Sequence, residues 1–261
     1  MADLSSPQVV FESPLGLLGI QTDKLRYVPE ETVHIWAFDL RCDNSLTCTF
    51  FKLLSDDEIA RSQRFKSELN RTDFIVAHGL LRMVLAQYCG IRAHQLRFLS
   101  SNAGKPSIIP AEGAASSPFF NLSHCSGRML LAIAANSDIG VDLENEHDGS
   151  HVGEIAARFF VAAEFVAIMA CPESERVATF FRYWVAKEAV LKATGAGLGI
   201  PLDQFTVNWC PHGDLAHTTS IDQPQFDGKW KVQMLNCGPR WHAAVSARNS
   251  LWVPVFICSY Q

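Results

Sequence analysis

The chain has 261 residues, of which 48% are hydrophobic and 19% charged, and its formal net charge is −5. That composition is ordinary for a soluble globular protein of one large or two average domains. Net acidity argues against nonspecific nucleic-acid binding, which needs a basic footprint. The longest clean apolar run, Met129 to Ala135, is far too short to span a bilayer. The opening Met-Ala-Asp-Leu-Ser-Ser-Pro lacks the basic and apolar regions of a secretory signal. The chain therefore reads as cytoplasmic, with neither membrane nor nucleic acid as a partner. Its eight cysteines (Cys42, Cys48, Cys89, Cys125, Cys171, Cys210, Cys237 and Cys258) form no C-x-x-C pair, and read as free thiols instead of a zinc site or a disulfide framework.

Residues 1–32 are irregular, punctuated by Pro7, Pro14 and Pro29. Val33 to Leu40 alternates and predicts the first strand. Ser55 followed by Glu58 is a capping-box pattern that opens a helix through about Phe65. A second helix is predicted from about Asn70 to Tyr88, with Phe74, Ala77, Leu81 and Leu85 at helical spacing. Residues 101–118, rich in Ser, Ala, Gly and Pro, read as loop. Strands follow at Phe119 to Leu122, Met129 to Ala134 and Ile139 to Glu144. Helices are predicted near 151–170 and 175–194, the second stopped by Gly195, Gly197 and Gly199. The tail returns to strands at Phe205 to Trp209, Trp230 to Leu235, Trp241 to Ala247 and Leu251 to Cys258. The fold class is α+β, a mixed α/β protein. R-M-L-L-A-I-A-A-N-S from Arg128 echoes R-W-H-A-A-V-S-A-R-N-S from Arg240; if this reflects a duplication, two similar halves pack together and a site can lie between them.

Three constellations carry chemistry. In D-I-G-V-D-L-E, Asp138 to Glu144, side chains two apart share a strand face. Ile139, Val141 and Leu143 then point into a core, while Asp142 and Glu144 point together the other way beside the space that Gly140 leaves. Such a pair is either the polar face of a half-buried strand or a set of hard oxygen ligands for Mg²⁺. In F-F-R-Y-W-V-A-K-E-A-V-L-K, Phe180 to Lys192, Glu188 and Lys192 stand one helical turn apart. They are either a surface ion pair or, as the continuation of Phe181, Trp184 and Val185, a charged pair at a cleft mouth. Lys187 points elsewhere, as a solvated or structural lysine. The third is G-K-P, Gly104 to Pro106, followed by N-L-S-H, Asn121 to His124. Lys105, Ser123 and His124 could meet an anion, although a strand-end histidine can equally be structural. Ser123 and His124 form no hydrolase triad, since no G-x-S-x-G elbow is present. G-A-G-L-G, Gly195 to Gly199, follows a helix and is no dinucleotide fingerprint. His147 and His151 read as loop histidines.

Taken in order, G-K-P, F-N-L-S-H, I-G-V-D-L-E and W-V-A-K-E-A-x-x-K resemble the 4′-phosphopantetheinyl transferases, over roughly residues 50–207. The resemblance is closest to their larger, two-halved class, which activates polyketide and nonribosomal peptide synthases. It implies a pseudo-dimer of two similar α/β halves: an extension at 1–32, an N-terminal half at 33–138 and a C-terminal half at 139–261, with the active site between the halves. It also implies a monomer, because the second half replaces a partner subunit. The implied reaction moves 4′-phosphopantetheine from coenzyme A to a serine of an acyl or peptidyl carrier protein. By the same resemblance Asp142, Glu144 and Glu188 hold Mg²⁺, with Mn²⁺ as a possible substitute. Glu188 helps to deprotonate the serine, and Lys192 stabilises phosphate charge or protonates the leaving group. Lys105, Ser123, His124 and Arg61 contact the nucleotide end, with Arg71 a looser candidate; Arg64 and Lys66 add to the local cations an anionic substrate needs.

The chain departs from the family at Glu58, where many relatives carry a basic residue, and at Cys125, where a second serine is frequent. Two rival readings remain at this stage. One is another Mg²⁺-dependent phosphoryl-transfer enzyme using the same acidic cluster. The other is a noncatalytic binding module, which would be signalled by a missing carboxylate or lysine; here all are present.

Overall fold

Ser67 and Gly90 set the length of the first long helix. The Ser67 hydroxyl accepts the Asn70 N–H, and Gly90 takes a left-handed conformation (φ 65°) that ends α3, Glu68–Cys89, because a residue without Cβ adopts it at no steric cost. Phe74, Ala77, Leu81 and Leu85 are all buried, as their spacing predicts. The computed structural model describes residues 6–19, 27–101, 103–110, 117–146, 149, 151–196, 199–210, 214–220, 226, 230–248 and 252–257. These form two compact units of mixed α and β structure.

The N-terminal unit takes the described residues of Val10–Ser100, Pro106–Asn136 and Val253–Gln261. Its sheet runs in the order β11 (Val253–Phe256), β1 (Thr32–Asp39), β5 (Arg128–Ala134), β4 (Phe119–Cys125), antiparallel except for β11 beside β1. The strand predicted at Val33 to Leu40 forms as β1, and β1 and β5 are inner strands buried on both faces, which is why their sequences are almost continuously apolar. The β4–β5 hairpin turns through Ser126 and Gly127, both at positive φ (47° and 81°), the two-residue turn that matches strand twist. Helix α1, Asn44–Phe51, is capped by the Asp43 carboxylate. Strand β3 (Pro106–Ile108), paired in a two-stranded ribbon with β2 (Phe98–Ser100), interrupts the stretch whose composition predicts only loop.

Helix α2, Asp56–Ser62, opens on the capping box read from the sequence, and Glu58 does more than cap. Its carboxylate also accepts from His78 Nδ1 at 3.0 Å and from Arg82 Nε at 2.7 Å, tying α2 to α3. A basic residue here would face the buried Arg82 guanidinium, so the departure from the family has a local structural reason. Burial alone would raise this carboxyl; the hydrogen bonds from His78 and the Ser55 N–H and the Arg82 charge outweigh it and hold the pKa at about 2. The contribution to stability is therefore complete above the ordinary carboxyl value of 4.5 and is lost as pH falls toward 2. At about 1.4 kcal/mol per unit, it amounts to roughly 3 kcal/mol. Urea melts of Glu58→Gln should show a correspondingly flatter decline of stability with acid than wild type.

The C-terminal unit takes the described residues of Met1–Val9, Ser101–Lys105 and Ser137–Trp252. Its five-stranded antiparallel sheet has the order β6 (Ile139–Asn145), β10 (Trp241–Arg248), β9 (Trp230–Leu235), β8 (Leu215–Thr219), β7 (Thr206–Trp209). The single helix expected over 151–170 is two, α4 (Val152–Phe159) and α5 (Ala162–Ala170). The chain extends at Phe160, whose ring enters the core, and Glu164 accepts the Val161 N–H to start α5. Helix α6, Glu173–Thr194, lies against β6 and β10 and ends at Gly195 in the left-handed region (φ 70°). The Arg128 and Arg240 runs that echo each other are thus inner strands of separate sheets, each associated with a helix of 22 residues. His151 sits at the N-cap of α4 and pairs with Glu154; His147, Gly197 and Cys258 lie outside the described residues. The seven described cysteines are all free thiols, and no described helix is long and apolar enough to cross a membrane.

Candidate active site

Gly140 is where the site is made. A Cβ at this position would overlap the Ala189 carbonyl oxygen and the Ala193 amide nitrogen of α6. The space the sequence suggested beside Asp142 is therefore filled by the helix backbone itself. Glycine permits the close approach of backbone to backbone, and the approach carries Glu188 and Lys192 onto the face of β6 that bears Asp142 and Glu144. Lys192 Nζ reaches Asp142 Oδ1 at 2.6 Å, and Asp142 is only 5% exposed. The opposite face of β6 is Ile139, Val141 and Leu143, all buried. Gly140→Ala should lower stability by roughly 1–3 kcal/mol, the usual cost of overpacking, and should lower activity along with it; thermal melts and turnover measured together check this.

Glu188 reports the electrostatics of the cluster. Burial, the Asp142 charge and, more weakly, the Glu144 charge raise its pKa to about 6, against the opposing pull of Lys192. Three carboxylates and one ammonium thus share one field. The surface-pair reading of Glu188 and Lys192 fails, because the helical neighbours meet a strand. Hard oxygens from one strand and the facing helix are the donor set Mg²⁺ takes, and a divalent cation would relieve the carboxylate repulsion that adds to burial in raising Glu188. Among the described residues no three His, Cys, Asp or Glu side chains are arranged around one point as ligands; the cation beside Asp142 is the Lys192 ammonium.

Lys105 belongs to the same unit. Its ammonium donates to Ile139 O at 3.1 Å and to Ala193 O at 2.8 Å, a cation at the negative C-terminal end of α6. Burial pushes its pKa down, and Asp138 at 4.0 Å opposes that. Arg61, Ser123 and His124 belong to the N-terminal unit. Arg61 is exposed, with its guanidinium over the Phe74 ring at 5.3 Å. Ser123 is buried and His124 half-buried on the edge strand β4. As strand neighbours they point to opposite faces. Arg71 pairs with Glu68 at 3.0 Å on the surface of α3.

Two features go beyond the sequence reading. Lys187, read as solvated or structural, is the structural lysine: it is 0% exposed, bonded to Glu164 at 2.9 Å and to the carbonyls of Leu202 and Phe205 at 2.8 and 2.5 Å. Burial drives the Lys187 pKa down and the Glu164 pKa up, and their attraction opposes both shifts. The available signal was its place in the apolar stripe of Phe180, Tyr183, Val190 and Leu191. The second is His242, which stands opposite Glu144 in the β10–β6 register, stacks on Phe181 at 5.6 Å and bonds Glu146 Oε1 at 2.8 Å.

The sequence pattern of the 4′-phosphopantetheinyl transferase superfamily matches residues 138–246, a stretch that runs from the start of β6 through α6 to the end of β10. The chain is 33% identical over 226 residues to the 4′-phosphopantetheinyl transferase HetI of Nostoc sp., covering 87% of this chain and 92% of that one. It is 30% identical over 202 residues to the 4′-phosphopantetheinyl transferase Sfp of Bacillus subtilis, covering 77% of this chain and 84% of that one. Identity of 33% over 87% of this chain and 92% of HetI, with 30% to Sfp over 77% and 84%, makes this chain a member of the 4′-phosphopantetheinyl transferase family and an enzyme of that type.

Proposed function

We propose that this chain moves the 4′-phosphopantetheine arm of coenzyme A onto a serine of an apo acyl or peptidyl carrier protein, releasing adenosine 3′,5′-bisphosphate, with Asp142, Glu144 and Glu188 as the residues that hold Mg²⁺ or Mn²⁺. The observation that carries the reading is the cluster on β6 and α6, in which Lys192 sits on Asp142 and burial, with the neighbouring carboxylates, raises Glu188 to about 6. Attack on a pyrophosphate demands positioning and cancellation of negative charge, and a bound divalent ion supplies charge cancellation to the phosphate oxygens.

The chain's own groups do the rest. Glu188 accepts the proton of the carrier serine, directly or through water. Lys192 holds a proton within reach of phosphate oxygens and can give it to the leaving group. Lys105, Arg61, Ser123 and His124 bind the nucleotide end, including its 3′-phosphate, by charge-assisted hydrogen bonds. Free thiols at every described cysteine suit a reducing, cytoplasmic setting, and the reading is of a monomer serving polyketide, peptide or fatty-acid synthesis. The test is intact-mass spectrometry of an apo carrier protein mixed with the chain, coenzyme A and Mg²⁺. A gain of one phosphopantetheine group, absent when the carrier serine is alanine, is the expected result; an unmodified carrier overturns the reading.

A further inference from the structure

Two backbone carbonyls, one from each element that carries the acidic cluster, meet on one ammonium. Ala193 lies in the last turn of α6, where a helix leaves carbonyls without partners, and Ile139 opens β6, the edge strand of its sheet. Lys105 Nζ donates to both, at 2.8 and 3.1 Å, with its side chain only 18% exposed. The turn that presents this lysine is closed on itself. The Ser101 N–H donates to Lys105 O at 2.9 Å, the Lys105 N–H donates to Ser101 Oγ at 3.1 Å, and Gly104 takes a φ of 84° that favours glycine. The lysine stem then passes the helix end at Gly195, where an added Cβ would stand 3.3 Å from Lys105 Cδ. All of these residues belong to the C-terminal unit. The same backbone also sets the cluster. Ala193 meets Gly140 through its amide nitrogen and Lys105 through its carbonyl. The residue before it is Lys192, on Asp142 at 2.6 Å, and Glu188 stands one turn further back.

We propose that Lys105 is a positioning residue for the transfer reaction: it pins the end of α6 to the start of β6 and so fixes Lys192 and Glu188 against Asp142 and Glu144. The inference rests on the function proposed above and adds to the phosphate contact named there. An ammonium has three donors; two are committed to the carbonyls and one is left for a phosphate oxygen. Without the pin, two carbonyl dipoles that share one cation face each other unscreened and turn to water, and the helix end draws away from the strand. Lys192 and Glu188 move with it, because both stand in the last two turns of the same helix. A displacement of about 1 Å can cost a positioned reaction roughly a hundredfold.

The test separates the pin from a phosphate contact by using a co-substrate that lacks the phosphate. Carrier modification is measured with Mg²⁺ and saturating coenzyme A or 3′-dephospho-coenzyme A, for wild type, Lys105→Met and Lys105→Gln, well below each melting temperature. Mn²⁺ affinity is measured beside it, from the loss of the free-ion paramagnetic resonance signal. Methionine keeps the stem beside Gly195 and removes every donor. The kcat of Lys105→Met should fall roughly tenfold or more, by the same factor with both co-substrates, and Mn²⁺ should bind it several-fold more weakly. A wild-type kcat, with only the KM for coenzyme A raised, overturns the inference and leaves Lys105 a phosphate ligand. A lower melting temperature with wild-type kcat and Mn²⁺ affinity overturns it as well. If Lys105→Met does not fold, Lys105→Gln, neutral and one bond shorter, is judged by the same comparison. A wild type that modifies no carrier contradicts the proposed function itself, and the Mn²⁺ affinities of wild type and Lys105→Met then decide on the pin.

Discussion

Glu188→Gln is expected to cut kcat roughly a hundredfold or more and, at the same time, to stabilise the metal-free chain. Both effects come from the same environment. Burial beside Asp142 and Glu144 lifts the Glu188 pKa from 4.5 to about 6, so the folded chain holds a proton there that the unfolded chain gives up. Between those two values stability falls as pH rises, because the native state binds more protons than the unfolded one. Above about pH 6 the ionised carboxylate costs up to roughly 2 kcal/mol. Glutamine keeps the shape, removes the charge and recovers that energy, while losing the basicity that accepts the serine proton. Lys192→Ala should lose activity on a similar scale but gain no stability, since it strips the partner from the buried Asp142. For the same reason Asp142→Ala should lose transfer without the gain in stability that two mutually repelling carboxylates alone would suggest. Steady-state carrier modification and melts in EDTA, compared across the three variants, check the split. A surface ion pair would move neither quantity beyond tenths of a kcal/mol.

Lys187→Ala, one residue away, should do the reverse: it should unfold the chain more readily without any part in chemistry. The change leaves the Glu164 carboxylate buried without its cation and strips a donor from the Leu202 and Phe205 carbonyls. Breaking one side of a buried pair costs roughly 3–5 kcal/mol, a large part of the 5–15 kcal/mol of a typical domain. Glu164 also accepts the Val207 N–H at 2.9 Å and the Val161 N–H at 3.3 Å, so the loss loosens α5, α6 and the start of β7 together. Lys187→Met with Glu164→Gln, which removes the charge from both sides, should cost less than Lys187→Ala alone. Urea midpoints for the three proteins give the comparison, and equal midpoints for Lys187→Ala and wild type would contradict the buried-pair account.

The helices were legible where local chemistry announces them. Ser55 with Glu58 and the glycine at 195 carry their caps in side-chain type and conformational freedom. The break at Phe160 was not, because no proline or glycine marks it; a buried ring and the reach of Glu164 to Val161 make it. Helix α1 escaped because its aromatic and β-branched content hides helical propensity, and β8 because Leu215 to Thr219 is short and polar in part. At the candidate site, Asp142, Glu144, Glu188 and Lys192 were readable as two separate motifs with a two-residue and a four-residue spacing. Their meeting was not readable. It depends on Gly140 facing the backbone of α6, a tertiary fact that a glycine in a strand only hints at. Lys187 shows the opposite limit: a charged letter in an apolar stripe became a core residue once Glu164 and two carbonyls were folded around it.

The most direct test of the central claim is a Mn²⁺ titration of the coenzyme A-bound chain, followed by the loss of the free-ion paramagnetic resonance signal, in wild type, Asp142→Ala and Glu188→Gln. The account predicts one saturable ion on wild type and an affinity at least roughly tenfold weaker in each variant. Wild-type affinity in both variants would contradict it, because the acidic cluster on β6 and α6 could not then be what holds the metal.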